Sequence, residues 1–386
     1  MDMSRVAQMG LDAHRTFSNV TGRDADGHIV CRHRLDHRNR PALLERLQGW
    51  PEGTPVILEG TFGWGWLTDT LKFAGLEPHL ASSQKVAAWR TARGIAKSNR
   101  TDADLLSELW LQKPRWWEVW LAPPEVRDRR EWMRYRMSLV QTQTRLKNQI
   151  HAIMHRHGIV HGFSDLFGRD GRRFLNLLVA PKDATLRASA KAALKGYLQL
   201  LDHVRRQIAG ATREIRRQIS KNPDGERLRT IPGISWILAY TILAEIGHID
   251  RFKTGKHLAS YSLLVPRSDD SGEESDDPPK GRHVGFIGRR TLKWAFIEAA
   301  HGAVRKGGRF REIFDRRTDG GKKDRNRGYI TVGHELARLV HVLWKKEVDY
   351  TDQPPERPGA RWNNKRGDSE SRPGTGQPED PMVVAV

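Results

Sequence analysis

The strongest constraint lies in the first 122 residues, where short apolar runs alternate with amphipathic stretches and two of the runs stop on an acid. Val6–Leu11 is an apolar strand that gives way to Asp12. Thr16–Thr21 and His28–Arg34 alternate apolar and polar residues across a turn-rich 22–27 segment, the signature of a hairpin. Arg40–Leu47 reads as a helix with Pro41 in its first turn. Pro55–Leu58 is a buried strand running into Glu59, Leu67–Ala74 a second helix, Glu77–Ala81 a fifth strand, and Ile95–Trp110 a helix carrying Asp102 and Asp104. Such an order predicts an α/β domain around a five-stranded mixed sheet.

If the strands before Asp12 and Glu59 are neighbours, both carboxylates emerge at one sheet edge. Clustered carboxylate oxygens suit a hard cation such as magnesium. Two such ions about 4 Å apart can serve phosphoryl transfer. Taken singly, Asp12 reads better as a turn residue and Glu59 as a cap for the following turn. A third acidic segment, Lys97-Ser98-Asn99-Arg100-Thr101-Asp102-Ala103, favours the metal reading. Asn99 and Asp102 lie three apart and share a helix face, whereas Asp104 points elsewhere.

Two long helices follow. Over 125–157, Trp132, Leu139, Leu146 and Ile153 fall seven apart. Over 186–220, Leu194, Leu201, Ile208 and Ile215 do the same, with Tyr197, Val204 and Ala211 in the second seam position. Such seams fit a coiled coil between subunits or a helical bundle within one chain. The 158–182 connection carries no clear pattern. Residues 227–350 read as compact and mostly helical, and 351–386, rich in Pro, Gly, Arg and Glu, as a tail without a packed core.

Composition narrows the partners. Sixty-six Lys and Arg against 46 Asp and Glu give a formal charge of +20, which favours a nucleic acid, because cationic side chains release counterions from phosphates. The single cysteine, Cys31, excludes a disulfide framework and a cysteine zinc site. The chain shows no membrane-length apolar run and no signal peptide, so a cytoplasmic, nucleoid-associated protein is expected. Bases and aromatics interleave at Lys113-Pro114-Arg115-Trp116-Trp117 and Trp120, where core packing is the preferred reading over stacking on bases. Arg134, Arg136, Arg145, Lys147, Arg205, Arg206, Arg213, Arg216 and Arg217 on the long helices are candidate phosphate contacts or solvated faces.

These motifs resemble the DEDD transposases of the IS110 insertion-sequence family, relatives of the Piv and MooV invertases. Their N-terminal domain is similar to the junction resolvase RuvC, with a ribonuclease H-like fold. The resemblance rests on Gly10-Leu11-Asp12, on Leu58-Glu59-Gly60-Thr61-Phe62-Gly63, and on the Lys97–Ala103 stretch, where Asn99 replaces an expected acid. It continues through Arg145-Leu146-Lys147-Asn148, Ile231-Pro232-Gly233-Ile234, Leu263-Leu264-Val265-Pro266 and Ser271-Gly272. The 285–289 segment departs from the family pattern and 292–300 recovers it. The resemblance implies a RuvC-like DEDD domain (1–124), a coiled-coil region (125–226), a C-terminal transposase domain opening with a helix-hairpin-helix-like turn (227–350), and a tail (351–386). It implies Mg2+ held by Asp12, Glu59, Asp102 and more weakly Asn99, with Ser271 as the nucleophile that links to DNA. It further implies target and donor DNA, a structured bridge RNA, and a homodimer or homotetramer. Two rival readings are a metal-dependent, structure-specific nuclease and a degenerate protein that only binds nucleic acid.

Overall fold

The computed structural model describes residues 3–96, 98–265 and 289–351. It opens with the antiparallel meander β1 (Gln8–Ala13), β2 (Phe17–Arg23) and β3 (Ile29–Asp36). Next come α1 (Arg40–Gln48), β4 (Pro55–Glu59), α2 (Trp64–Phe73), β5 (Glu77–Ala81), α3 (Ser83–Ala92), α4 (Asn99–Leu109) and β6 (Glu118–Val119). The sheet order is β3-β2-β1-β4-β5-β6, with β1, β4 and β5 parallel and the other pairings antiparallel.

The mixed sheet expected from sequence is present, with six strands rather than five. The sixth is a two-residue edge, too short to carry a period. A second difference is α3, which buries only Val86 and therefore gives no apolar stripe. The helix read as starting at Ile95 begins at Asn99, because Ser98 accepts the Thr101 N–H and Thr101 accepts the Ser98 N–H, a reciprocal cap that fixes the start.

Strand β4 is covered on both faces, with Val56, Ile57 and Leu58 fully buried, as a central parallel strand requires. Val56 and Leu58 pack with Leu43 and Leu47 of α1 and Leu67 and Leu71 of α2. Ile57 faces the other way, toward Leu105, Leu106 and Leu109 of α4, Val86 of α3, and Trp117. Helices thus flank the sheet, and α4 marks the face on which Ile57 and Glu59 lie.

Two long helices, α5 (Pro124–Arg156) and α7 (Ala188–Ile219), follow, with the short α6 (Arg169–Leu178) in the stretch that sequence left unassigned. α5 and α7 run antiparallel. Leu146, Ile150 and Ile153 pack with Leu194, Leu198 and Leu201, whereas Arg136, earlier on α5, reaches Thr212 late on α7 at 3.0 Å. The heptad seam is therefore filled within the chain.

The remaining helices are α8 (Pro223–Thr230), α9 (Trp236–Ile246), α10 (Gly255–Tyr261), α11 (Arg290–Lys306), α12 (Arg309–Thr318) and α13 (Arg325–Lys346). They share one core that includes Ala239, Leu258, Phe296, Ala300, Leu336 and Val340. Buried Arg130 of α5 donates to the carbonyls of Ala244 (2.9 Å) and Glu245 (3.0 Å), satisfying the open end of α9. Burial, then the charge of Arg289, brings its pKa down to about 10.

The Ile231–Ile234 turn is closed by the Ile234 N–H donating to the Ile231 carbonyl at 3.1 Å. Gly233 has φ +85°, and a Cβ there would sit 2.1 Å from the Ala299 carbonyl oxygen. The glycine is thus required by close approach to α11, without appeal to a phosphate.

Candidate metal centre

The register of the sheet builds the site. Leu11 pairs with Leu58 across the parallel β1–β4 ladder, so the next step places Asp12 beside Glu59. Asp12 pairs with Asn19 on β2, and Asn19 with Arg34 on β3. Directly paired residues share a face, and Glu59 shares one with Ile57 because side chains alternate. One row across the sheet therefore reads Arg34, Asn19, Asp12, Glu59, on the face that α4 covers.

Gly10 explains how α4 reaches that row. A Cβ on Gly10 would lie 2.1 Å from the Ser107 amide nitrogen and 2.3 Å from the Ala103 carbonyl oxygen. With only hydrogen there, the helix backbone rests on β1, two residues before Asp12. Gln8 Nε2 donates to the Ser107 carbonyl (3.1 Å) and Arg23 Nε to Ser107 Oγ (2.8 Å), pinning the helix. Asp102, in the first turn of α4, is thereby brought to the carboxylates of β1 and β4.

The acids also bear on one another electrostatically. The Glu59 carboxyl is raised above its usual range, first by burial and then by the negative charges of Asp102 and Asp12; a hydrogen bond from Ser83 and the charge of Arg90 work against the rise. Asp102 accepts from Arg90 Nη1 at 3.0 Å, and His14 Nε2 lies 2.9 Å from Asp12 Oδ2. α3, which sequence reasoning missed, thus supplies both Ser83 and Arg90. The Ser82-Ser83 pair opening a helix was the available signal. His14 lay two residues past Asp12, just beyond the end of β1.

The donor set fits a divalent cation: all-oxygen, anionic and under mutual repulsion. Asp12, Glu59 and Asp102 do not all converge within 4.8 Å; among the described residues that criterion is met by Asp24, Asp26 and His28 in the β2–β3 turn. There Asp24 Oδ1 already accepts the N–H groups of Asp26 (3.1 Å) and His28 (2.8 Å), a turn-forming role.

Asn99 opens α4 beside Asp102, and its side chain lies outside the described residues, as do Ser271 and all of 352–386. Asp104 stands apart from the cluster as expected. It accepts from Thr21 at 2.7 Å and from Arg32 at 2.9 Å through both oxygens. Trp117 is fully buried, in line with core packing, and Trp120 packs on Gly247. Several basic candidates on the long helices are engaged internally: Arg136 with Thr212, Arg205 with the Phe167 carbonyl at 3.0 Å, and Arg217 with Glu214.

Carboxylates at the carboxyl ends of adjacent parallel strands, met by a helix acid on a strongly basic chain, define an α/β protein suited to metal-assisted phosphate chemistry. Comparison with known proteins gives the family. A DEDD transposase family of IS110 type matches residues 9–159, and the transposase IS116/IS110/IS902 family matches residues 225–315. The transposase for insertion sequence element IS1111A of Coxiella burnetii is 24% identical over 277 residues, 70% of this chain and 72% of that protein. A probable family 20 transposase of Pseudomonas aeruginosa is 24% identical over 359 residues, 91% of this chain and 99% of that one. The pilin gene-inverting protein of Moraxella bovis is 35% identical over 100 residues, 26% and 28% of the two chains. The chain belongs to the IS110 family of insertion-sequence transposases, enzymes that cleave and rejoin DNA. No helix among the described residues is long and apolar enough to cross a membrane.

Proposed function

We propose that this transposase cuts and rejoins DNA through a metal-assisted serine–DNA intermediate. The carrying observation is the single row that sets Asp12 beside Glu59 with Asp102 held over it by α4. In this reading residues 1–124 form a ribonuclease H-like, RuvC-like domain in which those three carboxylates, with the Asn99 amide oxygen, hold Mg2+. Bound there, magnesium would polarise a phosphate oxygen and offset charge on the attacking and leaving oxygens. Arg90 neutralises part of the acidic charge, His14 Nε2 lies against Asp12, and Ser83 orients Glu59.

The nucleophile is Ser271, in the C-terminal domain (227–350). Its Oγ forms a bond to the scissile phosphorus as the bond to the leaving deoxyribose oxygen breaks, and the serine proton ends on that oxygen. A hydroxyl of the second strand reverses the step and frees the serine. Exchange between two DNAs needs several sites, so the protein assembles as a dimer or tetramer in this reading, through surfaces other than the α5–α7 seam, which is filled within the chain. A structured bridge RNA pairs with target and donor, consistent with the +20 charge.

Covalent trapping tests this. Protein purified with its RNA from cells carrying the whole element is mixed with labelled target DNA and magnesium, denatured and run on a gel. A protein–DNA adduct lost in both Ser271→Ala and Asp12→Ala supports the proposal. Free cleaved ends that survive Ser271→Ala would leave a metal nuclease instead.

A further inference from the structure

We infer that the face of β2 and β3 beside the carboxylates is a binding subsite for the DNA strand undergoing cleavage, with Arg34 as its phosphate clamp. The inference rests on the metal-centre reading above only for which strand is bound.

A groove of about 390 Å³ lies against this face, lined by Phe17, Asn19, Thr21, Arg32 and Arg34, with Ala103 of α4 on its flank. The register explains its position. α4 covers the row formed by Gly10, Thr21 and Arg32, and Asp104 ties the helix to the last two. The next row lies at the helix margin, and its Asn19 and Arg34 line the groove. Asp12 stands beside Asn19 on the neighbouring strand, so Arg34 lies two strands, roughly 10 Å at the usual strand spacing, from that carboxylate.

Arg34 differs from the cations around it. Arg32 is held by Asp104, Arg23 by Ser107 and the Gly27 carbonyl, and Arg38 by Asp36. Arg34 is exposed and, among the described residues, has no carboxylate within 4 Å. It is nonetheless ordered, since its guanidinium lies 3.7 Å from the Phe17 ring centroid, and the His14 ring is 4.5 Å from the same ring. A planar cation fixed by stacking keeps its donors free and has little conformational entropy left to lose, which suits a phosphate.

The position also answers an electrostatic need. Three carboxylates repel a polyanion approaching their own cation. A free guanidinium on the same row supplies attraction one or two nucleotides along the strand, and Asn19 between them offers an uncharged polar floor. Phosphate contacts of this kind position a strand without reading its sequence.

The test is equilibrium binding of the full-length, RNA-loaded protein to a labelled duplex carrying the element end, over a series of KCl concentrations. Arg34→Gln is expected to weaken binding about tenfold and to lower the slope of log K against log[KCl] by about one, whatever the DNA sequence. Arg34→Lys keeps the slope while losing part of the affinity, because the charge remains and the stacked fork is lost. Phe17→Leu reproduces a smaller loss. Mn2+ binding measured by calorimetry stays at the wild-type value in Arg34→Gln. Wild-type slope and affinity in Arg34→Gln would overturn the proposal. So would a parallel loss of Mn2+ binding, which would make Arg34 a support of the carboxylates, or a loss confined to RNA binding. If instead Asp12→Ala leaves cleavage intact, the metal reading fails while the Arg34 slope still decides the subsite.

Discussion

The seating of α4 on Gly10 gives the most exposed prediction. A Gly10→Ala methyl would lie 2.1 Å from the Ser107 amide nitrogen, about 1.4 Å inside an ordinary contact of about 3.5 Å. The obstacles are backbone atoms, so no side chain can swing away. Either α4 lifts by about that distance or β1 bends. Overpacking of this kind costs about 1–3 kcal/mol. Lifting α4 also stretches the Gln8–Ser107 and Arg23–Ser107 hydrogen bonds and the Thr21–Asp104 bond, worth about 1 kcal/mol each. The expected destabilisation is about 4–6 kcal/mol, a large share of a domain's typical 5–15 kcal/mol. Asp102 moves with the helix, and a displacement near 1 Å costs about 100-fold in rate. Urea denaturation followed by tryptophan fluorescence reads the first effect. DNA cleavage, at a temperature where the variant remains folded, reads the second. An unfolding midpoint and cleavage rate equal to wild type would refute the packing argument. Lost stability with undiminished cleavage would refute the step from helix seating to Asp102.

Other substitutions probe separate links. In α7, a Cβ on Gly196 meets nothing within 4 Å, so Gly196→Ala should stabilise by about 0.5–1 kcal/mol; a loss in urea denaturation would show that another surface occupies that space. Arg130→Met leaves the buried Ala244 carbonyl unmet and the Glu245 carbonyl with only the long bond from Arg251, and should cost about 3 kcal/mol, read as a lowered unfolding midpoint. The Glu335 carboxyl is held below its usual range by the hydrogen bond from His334, against burial, and by Arg338. A depressed acid contributes stability above its unfolded pKa and loses it as pH falls through its folded one. The wild-type advantage over Glu335→Gln should therefore be present at pH 7 and shrink in acid below about pH 4; a constant difference would contradict that. Asn99→Asp adds a charged oxygen donor and a negative charge at the first turn of α4, favourable there by about 0.3–1 kcal/mol, and should tighten Mg2+ binding in calorimetry.

Much of this was legible because apolar runs ending in acids carry their own direction. Leu11 before Asp12 and Leu58 before Glu59 marked two strands ending in acids, and their adjacency, left as a condition by the sequence, is met in the β1–β4 ladder. What stayed hidden had no period to betray it. α3 buries one residue, β6 is two residues long, and α6 is a short helix in an unpatterned stretch. Periodicity alone also could not name the partner of a seam. Leu146 and Leu194 repeat every seven residues whether they meet another subunit or, as here, one another's helices. Gly10 belonged to a quoted motif, yet only the approach of α4 reveals why nothing larger fits.

Asp102 and Asp104, two residues apart on one helix, show how the fold separates a structural acid from one left available. Asp104 is fully engaged, its two oxygens taking Thr21 and both arms of Arg32. Burial alone would raise its pKa, but those partners carry it below the usual range. Asp102 takes one bond from Arg90 and lies near two other carboxylates, and Glu59 is pushed upward first by burial and then by the charges of Asp102 and Asp12. A fold that needed these acids only for stability would be expected to pair them as it pairs Asp104. Here Asp12 and Glu59 share one row with Asp102 held over it by α4, beside the Arg90 guanidinium, the His14 imidazole and the Ser83 hydroxyl. Carboxylates gathered in this way repel one another, and a cation bound among them would relieve that repulsion, which is why the metal is proposed here rather than at Asp104.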